Sequence, residues 1–261
     1  MKKLLLFTLA AAMLVVAGAA ENPRPIKALL VTGGGSHDYE AQTKTLTAGL
    51  AKRLNIDITV AKEGTTREHH HSIYQNPDWA KGYDVVIHNE CFGMVAEQDF
   101  VERVAAPHKA GMPAVILHAS VHSYRMAPTD EWRQVIGQRS MRHEARQDLG
   151  VTVVDPKHPV MRGFPVTWED AQDELYVIEK AWPTMVPLAK GHLAKKPDPE
   201  HVVVWLNTYG RGRSFVTTLG HLDATMQRDE YLDLVARGLL WSIGKLKADG
   251  TPEKGYGARK S

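Results

Sequence analysis

Thirteen histidines stand in this sequence. Four of them, His37, His118, His122 and His221, follow apolar runs that read as strands, and Glu174 lies in an acidic, aromatic stretch. Imidazoles change charge near neutral pH, so such a set supplies general acids and bases. Three that converge also hold a divalent ion, and for His37, His118 and His221 the nitrogen-rich ligands fit Zn²⁺ best. A vacant position on that ion would polarise a substrate carbonyl or hydroxyl. Ser120 sits between His118 and His122. A nucleophilic serine needs an adjacent base, which His122 or His221 would supply, although the flanking residues do not form G-x-S-x-G. The catalytic candidates are therefore His118, Ser120, His122, Glu174 and His221. Gly34, Gly35, His37, Tyr124 and Tyr176 are the candidates for contacting a substrate.

The elements that must position these groups follow from apolar patterning. Pro113 to His118 reads as a buried strand whose end turns abruptly polar, and ligands of an open α/β sheet bind beyond such carboxyl ends. Ile26 to Thr32 is a second apolar strand, running into Gly33-Gly34-Gly35-Ser36-His37-Asp38. The glycines permit a sharp turn, and Ser36 or Asp38 caps the next helix. The spacing is neither G-x-G-x-x-G nor a phosphate-binding loop. A helix over Glu40–Leu54, strands over Ile56–Val60 and Tyr83–His88, and a helix over Glu97–Lys109 complete a parallel, doubly wound sheet with helices on both faces. Glu63 to Asp78 reads as a solvated loop. Its His69-His70-His71 run is contiguous, so the three side chains point different ways and make a poor ligand set.

The second half is less regular. A short helix is expected over Pro128–Ile136, strands over Gly150–Val154 and Met185–Lys190, and a ligand-lining loop over Thr167–Tyr176. A hairpin follows, His201–Thr208 and Arg213–Leu219, turning at Tyr209-Gly-Arg-Gly212 and ending in Gly220-His221. A closing helix spans Asp229–Leu246. No internal repeat or linker breaks residues 21–248, which read as one domain followed by a loose polar tail, 249–261.

Four stretches together resemble the ThuA-like (trehalose utilisation) family. They are Leu30-Val-Thr-Gly-Gly-Gly-Ser-His37, Ile116-Leu-His118-Ala-Ser-Val-His122, Asp173-Glu174-Leu-Tyr176, and Tyr209 through Gly220-His221. The resemblance covers nearly all of the chain after residue 20. It implies a flavodoxin-like α/β fold of the class I glutamine amidotransferase-like type, and a role in carbohydrate catabolism with glycosides or their 3-keto forms as substrates. True amidotransferases carry a nucleophilic cysteine at a strand-to-helix elbow. Here that region reads His118-Ala-Ser-Val-His122, so amidotransferase chemistry is rejected.

Residues 1–20 read as a cleaved signal peptide: Lys2 and Lys3, an apolar Leu4–Val16, then small residues to Ala20. Periplasmic or secreted location follows. Without them 30 basic residues face 30 acidic ones, with no basic stripe, which speaks against a nucleic-acid partner. The expected partner is a small-molecule carbohydrate, with no integral membrane span in the mature chain and a homo-oligomer left open. Cys91 is alone, which excludes an internal disulfide, and it is expected to be shielded. Two functions remain in view. One is a sugar-directed hydrolase, lyase or isomerase working through the histidine set. The other is a carbohydrate-binding or scaffold protein that lacks the nucleophile. Convergence of the histidines and Glu174 in one pocket would favour the first.

Overall fold

The computed structural model describes residues 24–259; the expected leader lies outside them. In chain order the first half runs β1 (Ile26–Gly34), α1 (Tyr39–Ala51), β2 (Ile56–Lys62), β3 (Val85–Cys91), α2 (Gln98–Lys109), β4 (Ala114–Leu117) and α3 (Glu131–Ile136). The second half runs β5 (Gln138–His143), β6 (Gln147–Val153), β7 (Thr167–Asp173), β8 (Tyr176–Ala181), β9 (Val186–Leu193), β10 (Lys196–Tyr209), β11 (Gly212–Thr217), α4 (Asp223–Met226) and α5 (Asp229–Ser242).

Nine strands form one sheet in the order β2-β1-β3-β4-β11-β10-β9-β6-β7. The first five are parallel and the rest add on antiparallel. β1 is buried along its length except at Lys27, because its alternate side chains enter two different cores. Leu30, Ile87, Val115 and Phe215 face α1 and α5, against Leu46, Leu50, Val235 and Leu239. Leu29, Val86, Ile116 and Val216 face α2 and α3, against Phe100, Val104 and Trp132. Strands covered on both faces read as continuous apolar runs rather than alternations, which is what the sequence displays. The architecture is flavodoxin-like, a mostly parallel central sheet between helices.

Three expectations are corrected. Thr167–Asp173 is not a loop but β7, paired with β6, with Trp168, Asp170 and Asp173 pointing inward. The polar stretch Glu63–Asp78 is not solvated throughout: His71 is buried, and its Nδ1 caps a 3-10 turn by accepting the Ile73 N–H at 3.3 Å. The polar tail is not loose where it is described. Leu54 bridges to Gly257, the Asn55 N–H donates to the Tyr256 carbonyl at 3.1 Å, and Arg259 pairs with Asp57 at 2.5 Å.

Candidate functional site

Four connections meet at the carboxyl edge of the sheet. β1 runs into the turn that bears His37, and β4 runs into a 3-10 turn, His118–His122. β11 runs through Gly220 to His221, and β7 delivers Glu174. The three imidazoles of His37, His118 and His221 stand edge to face in a near-equilateral triangle, with centroids 5.0, 4.8 and 5.2 Å apart. One ligand nitrogen from each lies within 4.8 Å of the others. His118 takes a left-handed backbone, φ +39°, and Ser36, which precedes His37, takes φ +83°. Such conformations cost about 1–3 kcal/mol each and persist only where the surroundings impose them. Gly220 has φ +103°, and a Cβ there would lie 2.8 Å from the Tyr231 hydroxyl, so the bend toward His221 requires glycine.

Hydrogen bonds set the tautomers. His118 Nδ1 donates to the Thr218 carbonyl at 2.6 Å, which leaves Nε2 as a bare lone pair. His37 Nδ1 donates to the His221 carbonyl at 3.4 Å. A backbone carbonyl behind the ring is the usual support of a metal-ligating histidine. His118 Nε2 and His221 Nδ1 are both buried and have no hydrogen-bond partner. They lie 3.5 and 3.3 Å from the two oxygens of Glu174, too poorly aligned to bond. Buried polar atoms are seldom left unpaired, so the bare Nε2 of His118 facing a carboxylate marks a place for a cationic ligand, while His221 Nδ1 carries its ring proton because Nε2 accepts from Arg146 at 3.3 Å. Burial pushes His37 down to about 3, and the neighbouring His118 and His221 push the same way, so it is neutral in the folded chain. Burial alone would raise the Glu174 carboxyl. Its contacts with His118 and His221 outweigh that and hold it far below the usual carboxylate range.

A second layer fixes this arrangement. Asp173 is buried, and its carboxylate accepts the backbone N–H groups of Glu174 at 2.6 Å and Gly220 at 2.7 Å. Behind it, Asp170 accepts the Thr225 hydroxyl at 2.6 Å. Its other oxygen meets no donor, which leaves it for a proton shared with Asp173. Burial first, then the side-chain contact with Asp173, and then the Asp173 charge push Asp170 up to about 8.

A narrow cleft of about 110 Å³, open to solvent, borders the triad at His37 and is lined by Ser36, His37, Cys91, His122, His143, Glu174, Tyr176 and two arginines. His122 forms a wall. It stacks on Tyr176 with centroids 4.0 Å apart and contacts the Ser140 hydroxyl at 2.9 Å. Burial, and then Arg125, hold it well below the ordinary histidine value.

Four expected positions fall elsewhere. Ser120 is fully buried away from the cleft; its hydroxyl accepts the Glu90 N–H at 2.8 Å and donates to the Glu90 carbonyl at 3.1 Å, so it anchors the turn to β3. Tyr124 is buried among Phe92, Phe100 and Trp132. Gly34 serves the backbone: a Cβ there would lie 2.3 Å from the Cys91 carbonyl. Gly35 likewise touches no cleft surface and packs under the Arg67 stem. His69 and His70 pair with Glu63 at 2.9 Å and Glu97 at 2.7 Å, outside the site.

The family model for ThuA, trehalose utilisation, matches residues 27–242. The chain belongs to the ThuA family. It is thereby a carbohydrate-utilisation-related protein. Its fold is shared with a ThuA-like protein from Parabacteroides merdae ATCC 43184, 20% identical at TM-score 0.68, over 91% of this chain and 98% of that one. A ThuA-like protein from Bacteroides uniformis ATCC 8492 is 14% identical at TM-score 0.63, over 88% and 96%. Part of a β-galactosidase from Rahnella sp. R3 has a similar fold, 16% identical at TM-score 0.51, over 82% of this chain and 31% of that one. No curated protein matches the sequence.

Several site residues of this ThuA-family chain escaped the sequence reasoning. Asp173 and Asp170 were hidden in a stretch taken for a loop. His143 lies on β5, whose Gln-Arg-Ser-Met-Arg-His has no apolar period to announce a strand. In the structure its Nδ1 donates to the Glu144 carbonyl at 2.8 Å, and Nε2 stands 3.7 Å from Glu174 at the cleft mouth. Arg67 had no signal. Arg125 stood at the end of the polar run after β4, and that crowding was its only trace.

Proposed function

We propose that this chain is an exported enzyme of carbohydrate breakdown, acting on a glycoside or 3-keto sugar, with His37, His118 and His221 as ligands of a divalent ion, Zn²⁺ first. Convergence of three neutral-capable imidazoles on Glu174, with two buried nitrogens unpaired, is the observation that supports it most. Such an ion would polarise a sugar carbonyl or hydroxyl. Glu174 is too weakly basic to be a good proton acceptor, so it serves as a fourth ligand or as the counter-charge to the histidines. His143 is the better general base. Its tautomer is set by the Glu144 carbonyl, its free nitrogen faces the cleft, and it is exposed enough to exchange protons with a substrate. Tyr176 and His122 supply a flat wall for a sugar ring.

The test is metal analysis and turnover on the same preparations. The parent should carry about one ion per chain, and His118→Ala and His221→Ala should each lose tenfold or more in affinity for it. Glycosides and their 3-keto forms, with and without chelator, are then followed by product mass. If both variants are folded, fully metallated and as active as the parent, the site is elsewhere.

A further inference from the structure

The inner cleft carries two cations that the protein leaves unanswered. Arg67 and Arg125 both line it, beside Cys91 and Gly93, and Glu174 is the one carboxylate in the lining. Glu174 is already faced by His118, His143 and His221. Among the described residues neither arginine has a carboxylate partner. Arg24, Arg53 and Arg133 do reach carboxylates, Asp84 at 2.6 Å, Asp229 and Asp233 at 2.6 Å and Asp130 at 2.8 Å, while Arg103, Arg211 and Arg237 answer backbone carbonyls instead.

Both arginines are also positioned. A Cβ at residue 35 would lie 2.8 Å from the Arg67 Cγ, so Gly35 clears the space in which that stem lies. Arg125 is half-buried, and its Nη1 donates to the Met141 carbonyl at 3.1 Å and to His122 Nδ1 at 3.4 Å. Its Nε and Nη2 have no partner among the described residues. A third guanidinium, Arg146, donates to His221 Nε2 at 3.3 Å from the adjoining cleft, but Asp38 and Asp223 share that cleft and offset its charge.

Guanidinium groups with donors to spare recognise carboxylate and phosphate, where two parallel hydrogen bonds form. We infer that the sugar taken by this site bears an anionic group, a carboxylate or a phosphate, seated between Arg67 and Arg125. The inference rests on the sugar-directed reading above and names its substrate class. A neutral sugar would leave both positive charges of the lining without a counter-charge, whereas an anionic one neutralises them.

The experiment is calorimetric titration of the purified chain with D-glucose, D-glucuronate, D-glucose 6-phosphate and inorganic phosphate. The parent and Arg67→Gln/Arg125→Gln are compared, with melting curves as a control for folding. At least one charged sugar should bind about tenfold or more tighter than glucose, and the double variant should erase that ratio. Which charged sugar wins tells carboxylate from phosphate. Equal affinity for glucose and both charged sugars, or a preference that survives in the double variant, overturns the inference and leaves the sugar-directed reading intact. Inorganic phosphate bound as tightly as any sugar, with no sugar preferred, overturns both.

Discussion

Asp170→Asn should stabilise the protein in mild alkali. In the fold Asp170 keeps its proton up to about 8, whereas in the unfolded chain it loses it near 3.8. The sign follows from which state holds the proton. The folded state binds more protons between those two values, so the contribution of Asp170 is fully present below 3.8 and lost as pH rises through about 8. Each pH unit in that window costs about 1.4 kcal/mol, so the interval from pH ~6.5 to ~8 should remove about 2 kcal/mol. Buried His37 and His108, both pushed down to about 3, act mainly on the acid side of their ordinary 6.5, and like the other buried histidines they contribute equally to parent and variant. Asparagine keeps an oxygen for the Thr225 hydroxyl and offers Asp173 a fixed donor, so it imitates the protonated acid without titrating. Urea unfolding from pH ~6.5 to ~9 is the assay. The stability of the parent relative to the variant should fall by about 2 kcal/mol across that range. Parallel curves for the two proteins would refute the shared-proton account.

Three further outcomes are expected. Ser120→Ala should cost about 1–3 kcal/mol in urea unfolding, because the buried Glu90 N–H loses its acceptor. It should leave turnover within a few-fold, and a folded variant with turnover down by orders of magnitude would restore Ser120 as a nucleophile. Cys91 lines the cleft, but burial pushes its thiol up, so it is a poor thiolate at neutral pH. Cys91→Ser should therefore stay within a few-fold of parental turnover on the sugar that proves active. Protein recovered from an exporting host should have lost its first ~20 residues, as intact mass will tell, and a retained Met1 would defeat the proposed export.

Strands covered on both faces announced themselves in the sequence, since Ile26–Thr32 and Ala114–Leu117 are continuous apolar runs bounded by polar turns. Their ends then pointed to His37 and His118 through the topology of parallel sheets alone. The hairpin was legible from Tyr209-Gly-Arg-Gly212, and with it the approach of His221. β5, β7 and β8 were not legible as a group, because their outward faces are charged and Ser140, Asp170 and Asp173 break up the few apolar side chains, such as Trp168 and Tyr176, on their inward faces. The same substitution of polar for apolar inward residues concealed the support for Glu174. Ser120 misled for the opposite reason. Flanked by two histidines it looked reactive, yet the 3-10 turn rotates its hydroxyl into the sheet, toward Glu90.

The placement of β11 has a consequence for how the chain comes to life. It is the last strand to be synthesised, yet it fills the middle of the sheet, pairing Ser214 with Ala114 and Thr217 with Leu117. Until residues 212–217 leave the ribosome, β4 has one open edge along Ala-Val-Ile-Leu, the kind of edge that recruits stray strands. Closing it is a long-range event, and long-range pairings form slowly. His221 comes only four residues after β11 ends, and His37 waits 184 residues upstream for it. A nascent or interrupted chain is therefore both vulnerable to misassociation and without its histidine triad, and the same late strand ends both conditions at once.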